Sequence, residues 1–131
     1  MTSLSPVRSL FWVAALYDGV LGIIFIVAAP WAFSTAGIPT PETWGYVHFA
    51  AGLLLTFALM FAAVARDPLG SRNLIVYGVL LKVSYVSTVS WHWGHEGITD
   101  IWKWFGLADI VFVGAFLWAM GRIARSSESG A

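Results

Sequence analysis

The chain contains no cysteine, and this absence removes several kinds of chemistry at once. Disulfides, thiolate metal sites, iron–sulfur clusters and covalent haem attachment all need cysteine sulfur. The sequence also has no Gly-rich phosphate-binding loop, no nucleophile elbow, and no Lys/Arg cluster large enough to bind nucleic acid. We therefore expect no nucleic-acid partner. The sequence also favours a protein that is not an enzyme.

Charged residues are also scarce. They make up 11% of the 131 positions, whereas hydrophobic residues make up 59%; soluble domains usually carry about 25% charged residues. Four apolar stretches lie at about 10–29, 45–65, 74–91 and 101–120. Each is close to the roughly 20 residues that a helix needs to cross a bilayer. The sequence therefore predicts an all-α integral membrane protein in contact with the lipid bilayer.

The segments between these stretches are short and rich in helix-breaking residues. Three prolines, Pro30, Pro39 and Pro41, separate the first two stretches, and the segment 67–71 separates the second from the third. Short loops make consecutive helices antiparallel neighbours. We therefore predict a single domain over 1–131 that forms a four-helix up-down bundle, with a disordered polar tail at 126–131.

Basic residues predict the orientation of this bundle. Only Lys103 lies on one side, and five arginines lie on the other: Arg8, Arg66, Arg72, Arg122 and Arg125. Because Lys and Arg are enriched in cytoplasmic loops, both termini are expected in the cytoplasm. The first stretch shows no cleavage site, so it is interpreted as a retained helix of a bacterial inner-membrane protein.

Each predicted span has a charged or imidazole side chain inside its apolar stretch: Asp18, His48, Lys82 and Asp109. A charged side chain at the bilayer centre costs roughly 2.5 to 3.5 kcal/mol on insertion scales, so these groups should face one another or a polar cavity. We expect Lys82 to reach Asp109 directly and Asp18 across the centre of the bundle. Tyr85 lies one turn from Lys82 on the same helical face and completes the predicted polar core.

Two interpretations of the buried charges remain open. Paired charges can simply hold helices in register. Alternatively, Asp18, Lys82 and Asp109 carry one excess negative charge when all are ionised, so a proton or a cationic or hydrogen-bonding ligand completes the site.

A second group of chemically competent residues lies near the predicted outer surface. His92, His95 and Glu96 are close together in sequence and are suitable for zinc, copper or a b-type haem. The alternative is that these histidines are interfacial and solvated by lipid headgroups.

Tryptophan is abundant, with eight residues, six of which are predicted near the outer surface. An aromatic belt at the headgroup layer explains such a distribution. The alternative is an aromatic mouth for a lipophilic ligand or a surface for a partner subunit. These six residues are Trp31, Trp44, Trp91, Trp93, Trp102 and Trp104.

The layout of the chain resembles that of small bacterial DoxX-like membrane proteins. The resemblance rests on Asp18 in the first span, the Pro-rich loop after it, and the Arg66-Asp67-Pro68 turn between the middle spans. It covers the four spans and carries no residue roles. It implies a four-span bundle of a kind often linked with respiratory-chain or oxidative-stress functions.

Three functional hypotheses follow. The first is that the polar core of Asp18, His48, Lys82, Tyr85 and Asp109 binds a small lipophilic or protonatable ligand such as a quinone, with haem as another candidate. The second is an accessory subunit of a larger respiratory or photosynthetic membrane complex. The third is a proton-linked carrier or channel, which would act as a homo-oligomer because four spans are few for transport.

Overall fold

Every regular element that the computed structural model describes, over residues 3–129, is helical. A single turn of 3-10 helix, Arg72–Leu74, leads into the fourth α-helix. The all-α prediction is confirmed for this part of the chain. The α-helices are α1 (Ser5–Val27), α2 (Ala29–Ala36), α3 (Gly45–Arg66), α4 (Ile75–His95) and α5 (Asp100–Ser129).

Four of these helices are long and apolar enough to cross a membrane. They are α1, α3, α4 together with its 3-10 turn, and α5, and the shortest has 22 residues. At about 1.5 Å per residue, each exceeds the roughly 30 Å of bilayer hydrocarbon. Large apolar side chains also cover their outer surfaces; Leu16 is 66% exposed and Leu59 is 75% exposed. A chain with these surfaces is suited to contact with lipid, as a multi-pass membrane protein would be.

The first long pair is α1 packed along α3. Arg8 donates hydrogen bonds to the carbonyl oxygens of Ala65 and Arg66, whereas Gly22 lies against Ala51. The start of α1 therefore lies beside the end of α3, and the two helices run in opposite directions. A Cβ at Gly22 would lie 3.0 Å from the Ala51 carbonyl oxygen, so a side chain there would push the helices apart.

The second pair is α4 packed along α5, also in opposite directions. Arg72 donates a hydrogen bond to Ser127, and Val89 lies against Gly106. The Arg122 guanidinium donates to the carbonyl of Ser3, which brings the end of α5 to the start of α1. We call this end of the molecule, with Ser3, Arg72 and Arg122, the terminal end, and the opposite end the α2 end.

The structure differs from the prediction between the first two spans, where the predicted loop contains the short helix α2. Pro30 has no N–H and its ring would clash with an earlier carbonyl in a continuous helix, so α1 ends just before it. The same proline is favourable in the first turn of a new helix. Gly37, with φ of 71°, ends α2 in the left-handed conformation that glycine adopts most easily.

The end of α5 also extends further than the sequence indicated. The predicted span stops at residue 120, and a disordered tail was expected from 126, but the helix continues to Ser129. The hydrogen bonds of Arg122 to Ser3 and of Arg72 to Ser127 hold this extension against the rest of the terminal end. The last two residues of the predicted tail, 130 and 131, lie outside the described residues.

Side chains fill the terminal half of the molecule tightly. The rings of Phe11, Phe61 and Phe116 are fully buried, with centroid separations of 4.9 to 6.0 Å. Gly78 of α4 allows close contact with Phe61. This cluster occupies the space between the helices, and a cavity of about 410 Å³ lies on its far side, toward the α2 end.

Candidate functional site

Three charged side chains from three helices meet at the middle of the structure. The Lys82 ammonium donates a hydrogen bond of 2.8 Å to Asp18 Oδ1, and Lys82 Nζ lies 3.1 Å from Asp109 Oδ1. All three residues are buried: Lys82 is 1% exposed, Asp18 is 0% exposed and Asp109 is 6% exposed. A single lysine therefore links α1 to α5 through α4. We call these three residues the triad.

The triad leaves polar atoms without partners. Among residues 3–129, Asp18 Oδ2, Asp109 Oδ1 and the Tyr17 hydroxyl are buried and have no hydrogen-bond partner. Asp109 Oδ1 is within ion-pair distance of Lys82, but the contact lacks hydrogen-bond geometry. Buried polar groups are normally hydrogen-bonded. The triad can therefore accept further hydrogen bonds from another molecule.

Aromatic rings surround the lysine. The Lys82 ammonium lies 5.1 Å from the Tyr17 ring centroid, 5.0 Å from that of Phe112 and 5.8 Å from that of Phe61. Rings at these distances stabilise a cation through their quadrupoles. Sequence reasoning missed Tyr17, although a tyrosine in an apolar span directly before Asp18 was a signal, because a buried tyrosine hydroxyl usually needs a partner.

A cavity of about 410 Å³ begins at the triad and extends toward the α2 end. This volume is within the range of about 300 to 1,000 Å³ that small-molecule sites occupy. Its floor is polar and its walls are apolar. The floor and lower wall carry Tyr17, Asp18, Lys82, Tyr85 and Asp109, and apolar side chains that include Leu21, Leu54, Leu81 and Phe105 line the rest.

An aromatic cluster covers the cavity at the α2 end. Phe33 of α2 is 7% exposed, and its ring lies 6.1 Å from Phe25, 5.0 Å from Trp44 and 6.2 Å from Trp102, centroid to centroid. The short helix α2 therefore positions the residue that closes the cavity. This cluster separates the triad from the surface at that end.

The cavity reaches the surface at the side, along α3. Three of its lining residues, all on α3, are exposed: Ala50, Tyr46 at 81% and Leu53 at 41%. The contact between α3 and α4 through Phe61 and Gly78 lies nearer the terminal end, beyond the floor. In a membrane this side of the molecule would face lipid, so the opening suits a molecule that arrives from the bilayer.

The structure brings together four of the five residues predicted for the polar core. Asp18, Lys82 and Asp109 form the triad, and the Tyr85 hydroxyl donates a hydrogen bond of 3.1 Å to the Trp102 carbonyl while its side chain lines the cavity. His48 is the exception. It is exposed and does not line the cavity.

The position of His48 corrects the prediction of a polar core with contributions from all four spans. Val47 and Ala51 both line the cavity, and they lie on the same face of α3 because they are four residues apart. His48 is displaced by one position from Val47, about 100° around the helix, which turns it outward. The second predicted span therefore contributes only apolar side chains and Tyr46 to the site.

The predicted metal or haem ligands lie at the end of α4, away from the triad. His92 Nδ1 is 3.4 Å from Glu96 Oε2, whereas His95 Nδ1 lies 2.8 Å from the Trp91 carbonyl oxygen. Within residues 3–129, no group of three or more His, Asp or Glu side chains is arranged to hold a metal ion. These residues therefore stay separate local contacts at the protein surface.

The tryptophans predicted near one surface divide into two groups. Trp44 and Trp102 pack in the aromatic cluster with Phe33. The other four residues are 51% to 66% exposed: Trp31, Trp91, Trp93 and Trp104.

Comparison with known proteins gives no relative for this chain. No protein-family model matches it, and no curated protein or solved structure does so either. The resemblance to DoxX-like proteins therefore stays a prediction, and the site is interpreted from its own geometry.

Proposed function

We propose that this chain is a small integral membrane protein whose cavity binds a small lipophilic or protonatable ligand. The observation that carries the proposal is the cavity itself, because its floor is the triad and its walls are apolar. A polar floor can orient the head group of a ligand, and apolar walls can bury its body. A quinone in a respiratory or redox context is one example of such a molecule.

The unpartnered atoms favour a ligand over a purely structural ion pair. A structural pair needs one lysine and one aspartate, and the Lys82–Asp18 hydrogen bond already provides that. It requires neither the second carboxylate of Asp109 nor an adjoining cavity. A ligand that hydrogen-bonds to the triad would satisfy the buried groups that the protein leaves unpaired.

Ligand copurification tests this function. We expect the protein, extracted in mild detergent, to carry a lipophilic small molecule detectable by mass spectrometry and ultraviolet absorption. Ala50→Trp should block the side opening of the cavity and remove that molecule, because Ala50 lines the cavity at its exposed rim on α3. Leu59→Trp, on the lipid-facing side of the same helix, is the matched control and should retain it. Equal ligand content in both variants, or none in any preparation, would contradict the proposal.

We also propose an up-down four-helix bundle in the bacterial inner membrane, with both termini in the cytoplasm. Contacts at the terminal end support this, because they gather Arg8, Arg66, Arg72 and Arg122 at one end of the molecule. Lys103 lies at the other end, paired with Asp100. This asymmetry is typical of arginines on the cytoplasmic side.

The chain has no cysteine, so single-cysteine variants test the orientation without background. In whole cells, a membrane-impermeant maleimide should label Thr40→Cys, at the α2 end, and should label Asn73→Cys only after permeabilisation. The reverse pattern would show that the termini lie outside the cytoplasm.

A second candidate function is an accessory subunit of a larger membrane complex. Its support is the set of four exposed tryptophans at the α2 end, which could contact a partner as well as lipid headgroups. Native mass spectrometry from mild detergent would reveal a stable partner. Recovery only as a monomer or homo-oligomer under several mild conditions would count against this function.

A proton-linked carrier or channel has less support. The Phe11, Phe61 and Phe116 rings fill the terminal half, so in this conformation the cavity ends at the triad. A carrier would need a second conformation that opens this cluster. Flux in liposomes that Asp109→Asn abolishes would support a carrier, and absence of flux over a broad panel of solutes would remove it.

A further inference from the structure

We propose that the ligand of this cavity is a lipophilic monocation, an amine carried on an apolar body, rather than a neutral hydrogen-bond acceptor such as a quinone. This inference rests on the proposed function, that the cavity holds a lipophilic molecule, and it specifies the head group. Three features of the site support it: the charge balance of the triad, the chemistry of its unpartnered atoms, and the aromatic walls.

The charge balance is the first feature. Two carboxylates, Asp18 and Asp109, surround one ammonium, Lys82, and all three side chains are buried. Burying an uncompensated charge is strongly unfavourable, so the site is short of one positive charge. An ammonium group in the cavity would supply that charge. A neutral ligand would leave the deficit, which a proton on one carboxyl would then have to correct.

The unpartnered atoms are the second feature. Asp18 Oδ2 and Asp109 Oδ1 are carboxylate oxygens, which accept hydrogen bonds when ionised. A protonated amine offers up to three donors to such oxygens, whereas quinone carbonyls offer none. Hydrogen bonds between ionised groups are also shorter and roughly twice as strong as neutral ones. Asp18 Oδ2 has no partner, and Asp109 Oδ1 has an ion-pair contact with Lys82 but no hydrogen bond, so both carboxylate oxygens match a donor head group; the unpartnered Tyr17 hydroxyl can donate or accept and fits either kind of ligand.

The walls are the third feature. Tyr17 beside the triad and Phe25, Trp102 and Phe105 along the walls all line the cavity. Aromatic faces attract cations within about 6 Å of the ring centroid, and tryptophan does so most strongly. The protein already places the Lys82 ammonium among such rings. A second cation in the cavity would meet the same kind of surroundings, because Asp18 and Asp109 line the cavity beside Lys82.

A matched set of probes tests the inference. Phenylhexylamine carries the cationic donor, phenylhexanol has the same body with a neutral hydroxyl, and decylubiquinone has only acceptors in its head group. Binding to the purified full-length protein is measured by calorimetry at neutral pH. We expect the amine to bind about tenfold more tightly than the alcohol, given the greater strength of charge-assisted hydrogen bonds, and more tightly than the quinone.

Variants identify the source of this preference. Asp109→Asn removes the excess negative charge but leaves the Lys82–Asp18 hydrogen bond. It should weaken amine binding about tenfold, to the level of the alcohol, and change alcohol binding little. Asp100→Asn, which alters an exposed aspartate at the start of α5, is the control and should change neither.

The possible outcomes separate this inference from the proposed function. If the alcohol or the quinone binds the wild type as tightly as the amine, the inference is wrong but the lipophilic site stands. If none of the three probes binds, both are wrong. If Asp109→Asn loses alcohol binding as well, the variant Asp109→Glu decides, because it keeps the negative charge. Tighter binding of the amine than of the alcohol by Asp109→Glu would support the inference. Equal binding of the two probes by that variant would overturn it.

Discussion

The coupling of Lys82 to its two aspartates gives the sharpest test of the structure. Lys82→Met removes the only cation of the triad and leaves Asp18 and Asp109 buried together without compensation. Breaking a buried ion pair by removing one partner costs about 3 to 5 kcal/mol, since the other charge remains buried. We expect a loss of unfolding free energy in that range, with partial recovery when either aspartate is also neutralised.

The structure also predicts which aspartate is more strongly coupled to the lysine. Lys82 Nζ lies 2.8 Å from Asp18 and 3.1 Å from Asp109, so the Coulomb energies of the two ion pairs differ by only about a tenth. Hydrogen bonding separates them more, because only Asp18 accepts a well-oriented bond. A hydrogen bond to a charged group contributes about 1.5 to 3 kcal/mol. The coupling energy of Lys82 with Asp18 should therefore exceed that with Asp109 by about 1 kcal/mol or more.

Two double-mutant cycles measure these couplings, with unfolding followed in detergent by circular dichroism. One combines Lys82→Met with Asp18→Asn and the other combines it with Asp109→Asn. The exposed pair of Lys103 and Asp100, at 2.9 Å, is the matched control in the same chain. Surface pairs contribute about 0.2 to 1 kcal/mol, so the control cycle should give a coupling energy no larger than that.

The result that refutes this reasoning is additivity. If the Lys82–Asp18 cycle is additive within about 0.5 kcal/mol, the two residues are not energetically coupled, whatever their separation. A larger coupling of Lys82 with Asp109 than with Asp18 would instead show that the hydrogen-bond geometry of the triad is different from the one described.

Two further predictions concern packing and the terminal end. Gly22→Ala should destabilise the protein by about 1 to 3 kcal/mol, because the new Cβ would meet a backbone oxygen of α3 that cannot move easily. Gly52→Ala is the control, since a Cβ there has no described neighbour within 4 Å beyond the adjoining residues of its own helix. Arg8→Gln should lower the unfolding free energy by about 1 to 3 kcal/mol, because Arg8 donates to two carbonyl oxygens at the end of α3, and its bond to Ala65 is part-buried. Arg72→Gln loses a single exposed hydrogen bond to a serine and should have a smaller effect. Denaturant unfolding in detergent checks both.

Either prediction can fail clearly. Equal stability of Gly22→Ala and Gly52→Ala would mean that α1 and α3 are not in close contact at Gly22. Equal effects of Arg8→Gln and Arg72→Gln would mean that the bonds of Arg8 to α3 add nothing beyond an ordinary surface contact.

Much of the architecture was predictable because it follows from local composition. A run of about 20 apolar residues predicts a membrane-spanning helix whatever its neighbours are, and the four long helices agree with that expectation. The identity of the triad was predictable for the same reason, since charged groups in apolar helices must find one another. Asp18, Lys82 and Asp109 do meet in the structure.

Features that depend on helix rotation were not predictable in the same way. His48 looked equivalent to the triad residues in sequence, but its helix presents Val47 and Ala51 to the cavity, so His48 points outward. Each residue along a helix is rotated by about 100° from the one before it, so a shift of one position decides whether a side chain faces the cavity or points outward. In a span that is apolar on all sides, no periodic pattern of polar residues indicates which face turns inward.

The sequence alone determined the helical class, the suitability for a membrane and the charged residues of the centre, because each follows from local composition and from the high free energy of unpaired charge in hydrocarbon. Only the tertiary structure decided that Lys82 bonds best to Asp18, that Phe33 of α2 covers a cavity, and that the Phe11, Phe61 and Phe116 rings fill the other half. These features depend on how helices pack against one another, and packing is set by side-chain shapes at contacts far apart in the chain.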